Sequence, residues 1–191
     1  MESIYLKKEK NELLDLFKTI AITAVIFIAI RAFLFSPINV EGASMMPNYE
    51  DGDRVIINKL QKMLNSIEHF DVIVFKANES DNYIKRVIGL PGDHIAYQND
   101  TLYINGETYD EPYLEQYKLQ LKDSGKLTYN FTLEEITNLT EIPEGYYFVL
   151  GDNRRVSNDS RNPSVGLISE DQVLGKVSIR YYPLDHFGLV K

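Results

Sequence analysis

Two short segments hold residue types that can break a peptide bond. In Glu41-Gly-Ala-Ser-Met-Met-Pro47, Ser44 sits among small neighbours that let a peptide backbone approach its hydroxyl. The local N–H groups of such a turn can also bind an oxyanion. In Tyr83-Ile-Lys-Arg-Val-Ile-Gly-Leu90, Lys85 interrupts an otherwise apolar run, and strand alternation puts it on the side of Tyr83 and Val87. Burial there disfavours the charged ammonium and lowers its pKa from the usual ~10.4. A neutral amine is a competent general base toward a serine hydroxyl. The residues alone leave a simpler reading open, in which Lys85 snorkels out of an edge strand or pairs with an acid such as Asp152.

Other chemistries find little support. The chain has no Cys, which excludes disulfides, thiolate metal sites and cysteine nucleophiles. Its three histidines, His69, His94 and His186, are scattered and form no H-E-x-x-H pattern. No Gly-rich phosphate loop, G-x-S-x-G elbow or S-x-x-K motif occurs. Neither a metal nor a cofactor is expected. Asp and Glu number 28 against 20 Lys and Arg, a net charge of −8 that argues against nucleic acid as a partner.

The elements that must position Ser44 and Lys85 read as mainly β. Residues 53–58, 71–75, 82–90, 94–98, 101–105, 146–150 and 176–182 are β-branched or aromatic runs bounded by turn formers. Asn105-Gly106 between two such runs signals a two-residue hairpin. Helices in the body are expected to be short: Thr132-x-x-Glu135 and Ser169-x-x-Gln172 fit the capping box. Residues 60–67 fit a helix or a loop, and the more polar stretch 109–143 reads as an insertion or subdomain.

The N-terminus has a different character. Residues 19–30 are uncharged and almost wholly apolar, and residues 32–35 resume the pattern beyond Arg31. Residues 19–35 would cover ~25 Å as a helix, enough for a transmembrane anchor if Arg31 snorkels to the interface. A small-x-small cleavage site, which a removable leader needs, is missing after this run. Lys7, Lys8, Lys10 and Lys18 precede it, whereas residues 36–53 hold no Lys or Arg but Glu41, Glu50, Asp51 and Asp53. The positive-inside rule then predicts a cytoplasmic segment 1–18, an anchor 19–35 in membrane lipid and an extracytoplasmic body 36–191.

An anchor followed in order by EGASMMP, DVIVF, YIKRVIGLPGD and GDNRRVSNDSR resembles the bacterial type I signal (leader) peptidases of the Gram-positive type. The resemblance covers nearly the whole chain. It implies a β-rich catalytic domain and a Ser–Lys dyad that cuts exported preproteins outside the cytoplasmic membrane. By its motifs Ser44 matches the nucleophile, Lys85 the general base and Ser157 the hydroxyl that orients the lysine amine. Asp152 with Arg86, and Asp159 with Arg161, match structural ion pairs. Met45, Tyr83 and Ile84 match positions lining the pockets for small substrate side chains. Gly42 stands where some members carry an oxyanion-hole serine, which would leave the hole mainly to the Ser44 N–H. Two departures fall near Ser157: Val156 replaces the usual Asn, and residues 162–165 lengthen the following loop. A self-cleaving Ser–Lys regulatory peptidase would need a partner or DNA-binding domain in place of the apolar segment. A non-catalytic preprotein-binding homologue would not need both Ser44 and Lys85.

Overall fold

The structure, a computed structural model, describes the backbone of residues 2–60, 64, 67–121, 123 and 125–190. Side chains are described from residue 14 onward within these stretches, residue 32 excepted. The chain divides into two units after Ser36.

The first unit is one helix, α1 (Glu2–Leu34). Its described side chains from Leu14 to Arg31 are all exposed, including Phe17, Val25 and Phe27. The expected anchor over 19–35 is thus helical as far as Leu34, while Phe35 opens a strand. Among the described residues no helix is long and apolar enough to cross a membrane. The continuous described run 14–31 carries Asp15, Lys18 and Arg31, which interrupt its apolar character. The side chains of Lys7, Lys8 and Lys10 lie outside the described residues, as does most of the 60–67 segment.

Beyond α1 the fold is mainly β with a few short helices. In chain order come β1 (Phe35–Asn39), β2 (Arg54–Asn58), β3 (Val72–Lys76) and β4 (Asn82–Gly89). They are followed by β5 (Ile95–Gln98), β6 (Thr101–Ile104), β7 (Glu107–Tyr109), α2 (Glu115–Gln120), β8 (Phe131–Thr132) and α3 (Leu133–Thr137). The chain ends with β9 (Tyr146–Leu150), β10 (Ile168–Ser169), β11 (Val173–Tyr182) and β12 (Gly188–Leu189). The larger sheet runs β1-β2-β11-β3-β4-β9-β10 with β12 beside β11, and a four-stranded sheet runs β7-β6-β5-β8.

The apolar runs form strands because both of their faces find a core. On β3, Val72 and Val74 enter one buried cluster with Met45 and Ile84, while Ile73 and Phe75 enter another with Val87 and Val149. That alternation explains a nearly continuous hydrophobic sequence in an antiparallel sheet, where one wet face would demand polar residues. The Asn105-Gly106 turn joins β6 to β7 with both residues at positive φ, 54° and 83°, the geometry of the tightest hairpin. Thr132 and Glu135 make the reciprocal capping box that starts α3. Ser169 and Gln172 make one too, but it opens a single 3-10 turn at Glu170–Gln172, because Val173 already turns into β11.

The stretch 109–143 is partly integrated rather than separate. β8 pairs with β5, and Leu114, Leu127 and Leu133 are fully buried. The two neighbours of β4 differ in reach: β9 pairs with it only from Arg86 onward, whereas β3 pairs with it from Asn82. The first half of β4 therefore keeps one edge free of strand partners among the described residues.

Candidate active site

Ser44 lies in the loop between β1 and β2. The loop is held at both ends: Val40 N–H donates to the Asp53 carbonyl, and Gly52 N–H donates to the Val40 carbonyl. Met45 anchors its middle, fully buried against Val74 and Ile84. Gly42 has φ +82°, a backbone conformation that L side chains rarely adopt, and its N–H donates to Asp51 Oδ1 at 2.8 Å. The Ser44 N–H donates to no group among the described residues. It is thus available to an incoming acceptor.

Lys85 comes from β4 and is 3% exposed. Its Nζ lies 2.7 Å from Ser44 Oγ, donates to the Ile84 carbonyl at 2.9 Å, and sits 5.1 Å from the Tyr83 ring centre. Among the described residues no carboxylate pairs with it. Burial lowers its pKa to about 8, although the charges of Asp159 and Asp152 pull it upward. The alternative partner Asp152 is engaged elsewhere. Arg86, the next residue on β4, grips it with Nε on Oδ1 at 2.8 Å and Nη2 on Oδ2 at 2.7 Å. Asn48 Nδ2 adds a third bond to Asp152 Oδ2 at 2.8 Å.

Ser44 and Lys85 share the wall of a cleft of about 830 Å³. Pro37, Ile38 and Asn39 line it, as do residues 80–84 on the free edge of β4. Tyr83 and Ile84, both expected at substrate pockets, face this cleft. Met45 does not: it is 0% exposed and belongs to the core beneath the Ser44 turn. Its long flexible side chain fills the space that keeps Ser44 in place.

The segment 151–161 closes the site. Asp159, fully buried, takes Arg161 in two parallel bonds of 2.8 Å and also accepts the Gly151 N–H at 3.0 Å. At Gly151 the two loops pack closely, since a Cβ there would collide with both Ser157 Oγ and the Ser44 carbonyl oxygen. The Ser157 hydroxyl thus lies across Gly151 from Ser44. It is buried and has no hydrogen-bond partner, so the orienting bond to Lys85 implied by the resemblance is not formed here. Val156 is 67% exposed and lines the cleft, and the extra residues 162–165 form a turn closed by the Val165 and Gly166 N–H groups on the Asn162 carbonyl. The altered positions therefore change the surface near the site, not the contact between the two loops.

Several positions that organise the site were not legible as such. Asn48 ties Asp152 to the Tyr113 carbonyl, and Asp51 fixes Gly42. Arg154, fully buried, is held by Glu111, Tyr97 and Thr128. They are mostly polar residues, for which exposure is the ordinary expectation, and only Glu111, Tyr113 and Thr128 fall inside the 109–143 stretch.

A family model described as signal peptidase, peptidase S26, matches residues 13–182. A signal peptidase I of Bacillus caldolyticus is 54% identical over 159 residues, 83% of this chain and 86% of the relative. A signal peptidase IB of Staphylococcus aureus is 45% identical over 182 residues, 93% of this chain and 94% of the relative. The crystal structure of a signal peptidase I from Enterococcus faecalis V583 superposes with a TM-score of 0.54 at 42% identity, covering 58% of this chain and 95% of that one. The β fold around the paired serine and lysine and these extended similarities agree: the chain belongs to the signal peptidase family, peptidase S26, and is a serine peptidase.

Proposed function

We propose that this chain is a membrane-anchored endopeptidase that removes signal peptides from exported preproteins, with Ser44 as nucleophile and neutral Lys85 as general base. The observation that carries the reading is the 2.7 Å contact between Lys85 Nζ and Ser44 Oγ, at a lysine whose burial lowers its pKa to about 8. In the neutral state the amine keeps a donor for the Ile84 carbonyl and turns its lone pair to the serine O–H, which then donates to it.

The steps follow from these groups. Lys85 takes the Ser44 proton as Oγ attacks the scissile carbonyl, and the Ser44 N–H faces the oxyanion that forms. Collapse breaks the peptide C–N bond, and the protonated lysine supplies the leaving amine's proton. Water then attacks the acyl-serine ester, gives a proton to Lys85, and Ser44 regains its own as the carboxylate product leaves. A buried hydroxyl without a protein partner is a group that calls for a role. Ser157, across Gly151 from Ser44, suits the part of orienting the Lys85 amine once substrate closes the cleft. The ion pairs Arg86–Asp152 and Arg161–Asp159 hold the loop that carries Ser157, and Asn48 ties the Ser44 loop to Asp152.

Substrate binding follows from the free edge of β4. An extended peptide can add along residues 81–84 by backbone hydrogen bonds, with alternate side chains entering the cleft near Tyr83 and Ile84. That arrangement suits small residues at −1 and −3. In this reading residues 1–18 stay in the cytoplasm, residues 19–35 lie in lipid, and residues 36–191 work outside the membrane, where translocated preproteins emerge.

The purified full chain in detergent should cut a model preprotein after its small −1 residue, and Ser44→Ala should not. Failure of the wild-type protein to cut would reject the catalytic reading and leave only preprotein binding. Protease added to intact protoplasts should degrade the body and spare an N-terminal stub; a body protected until lysis would reverse the topology.

A further inference from the structure

The hydrogen bonds of Asn153 lead away from the Ser44–Lys85 pair to a helix that the reaction itself does not touch. Asn153 stands between the two serine-bearing loops. Its N–H donates to the Ser44 carbonyl at 3.0 Å, its Nδ2 donates to the Ala43 carbonyl at 3.0 Å, and its own carbonyl accepts the Ser157 N–H at 3.0 Å. The remaining polar atom of the side chain, Oδ1, accepts the phenol O–H of Tyr117 from α2.

The bond to Ala43 matters because of peptide geometry. The Ala43–Ser44 peptide is trans, so its C=O and N–H point in opposite directions within one plane. Whatever holds the Ala43 carbonyl therefore also aims the Ser44 N–H, the donor left free for an oxyanion. The Ala43 carbonyl has one other donor, the Met46 N–H at 3.2 Å within the same turn. Asn153 supplies the external restraint: the Ala43 carbonyl, which can only accept, takes Nδ2, and the Tyr117 phenol holds Oδ1 on the other side and so keeps the amide in place. Tyr117 is only half-buried and belongs to the 109–143 stretch, so nothing in the core requires its hydroxyl.

We propose that Tyr117 is a positioning residue that acts through Asn153 to fix the Ala43–Ser44 peptide plane and thereby the oxyanion-binding N–H. The proposal rests on Ser44 being the nucleophile. It makes the 109–143 stretch part of the working site rather than an appendage.

The test uses the full-length protein in detergent with a model preprotein, comparing wild type, Tyr117→Phe, Asn153→Ala and the double variant. Tyr117→Phe should lower kcat about five- to tenfold, the scale of one hydrogen bond, with KM within twofold and an unchanged thermal melt. A peptide aldehyde, whose adduct with a serine places an oxyanion in the same position, should lose affinity in parallel. On the Asn153→Ala background the tyrosine change should add nothing, because the two act in series. Wild-type kcat in Tyr117→Phe, a loss confined to KM or stability, or multiplicative losses in the double variant would overturn the proposal. Ser44→Ala run alongside keeps the two claims apart: an active Ser44→Ala enzyme would sink the nucleophile itself, whereas an inactive one with a fully active Tyr117→Phe sinks only the positioning role.

Discussion

Lys85 and Arg86 follow one another on β4, are equally buried at 3% exposure, and have their pKa values shifted in opposite directions. Burial works against the charge of both. At Arg86 the Asp152 carboxylate outweighs it through charge and two hydrogen bonds, so the guanidinium is held above its ordinary pKa. At Lys85 burial dominates, and only the more distant charges of Asp159 and Asp152 oppose it. Its direct partners are a hydroxyl and a carbonyl, neither of which carries charge. Alternation along the strand sends the two side chains to different faces, so one strand carries a buried ion pair and, in the proposed function, a proton acceptor without letting them merge. Burial is common to both, and the partner decides whether it yields structure or chemistry.

That contrast predicts the effect of exchanging one role for the other. Lys85→Arg keeps a cation and much of the stem but places at the serine a group whose pKa exceeds ~12. Cleavage should fall to the background of Ser44→Ala, with circular dichroism and thermal melt close to wild type. Substantial cleavage by Lys85→Arg would mean that the charge, not a neutral amine, is what the site needs. Asp152→Ala attacks the neighbour instead and strands a buried guanidinium. Breaking such a pair costs about 3–5 kcal/mol, which should appear in urea unfolding of the body. A stability change under 1 kcal/mol would show that the Phe70 carbonyl, which accepts Arg86 Nη1, and the Tyr113 ring, 3.9 Å from the guanidinium, suffice without the carboxylate.

The smallest of these effects concerns the hydroxyl that has no partner. Ser157→Ala should lower kcat about 10²-fold, the low end of a general-base contribution, with little change in KM. Activity within twofold of wild type would remove Ser157 from the account and leave Lys85 positioned by Ile84 alone.

The parts of this molecule that were legible in the sequence are those set by local rules. The β-branched runs became β2 to β6, β9 and β11 with ends shifted by at most three residues and β9 matched at both ends, because alternation and turn formers act over a few positions. The Asn105-Gly106 hairpin and the Thr132 cap followed for the same reason. Ser44 and Lys85 were separable as chemistry-bearing residues, but only the resemblance tied them together, since they stand 41 positions apart. Met45 shows the limit of a motif: matched to a substrate pocket, it is buried beneath the turn instead. The short strands β8, β10 and β12 have too few residues to show a period and depend on their partners. Asn153 and Tyr117 were out of reach for a different reason, since hydrogen bonds between distant loops leave no pattern along the chain.

The claim that matters most is that Lys85 works as a neutral amine, and the pH dependence of kcat/KM tests it most directly. Below the folded-state value the ammonium has no lone pair and cannot take the serine proton, so each unit of acidification should cost about tenfold. Measured on the full chain with a model preprotein, kcat/KM should climb along a single basic limb, pass half its maximum near pH 8, where burial sets Lys85, and level off above it. A rate already flat well below pH 7, or a limb displaced to the ~10.4 of an ordinary lysine, would contradict the account.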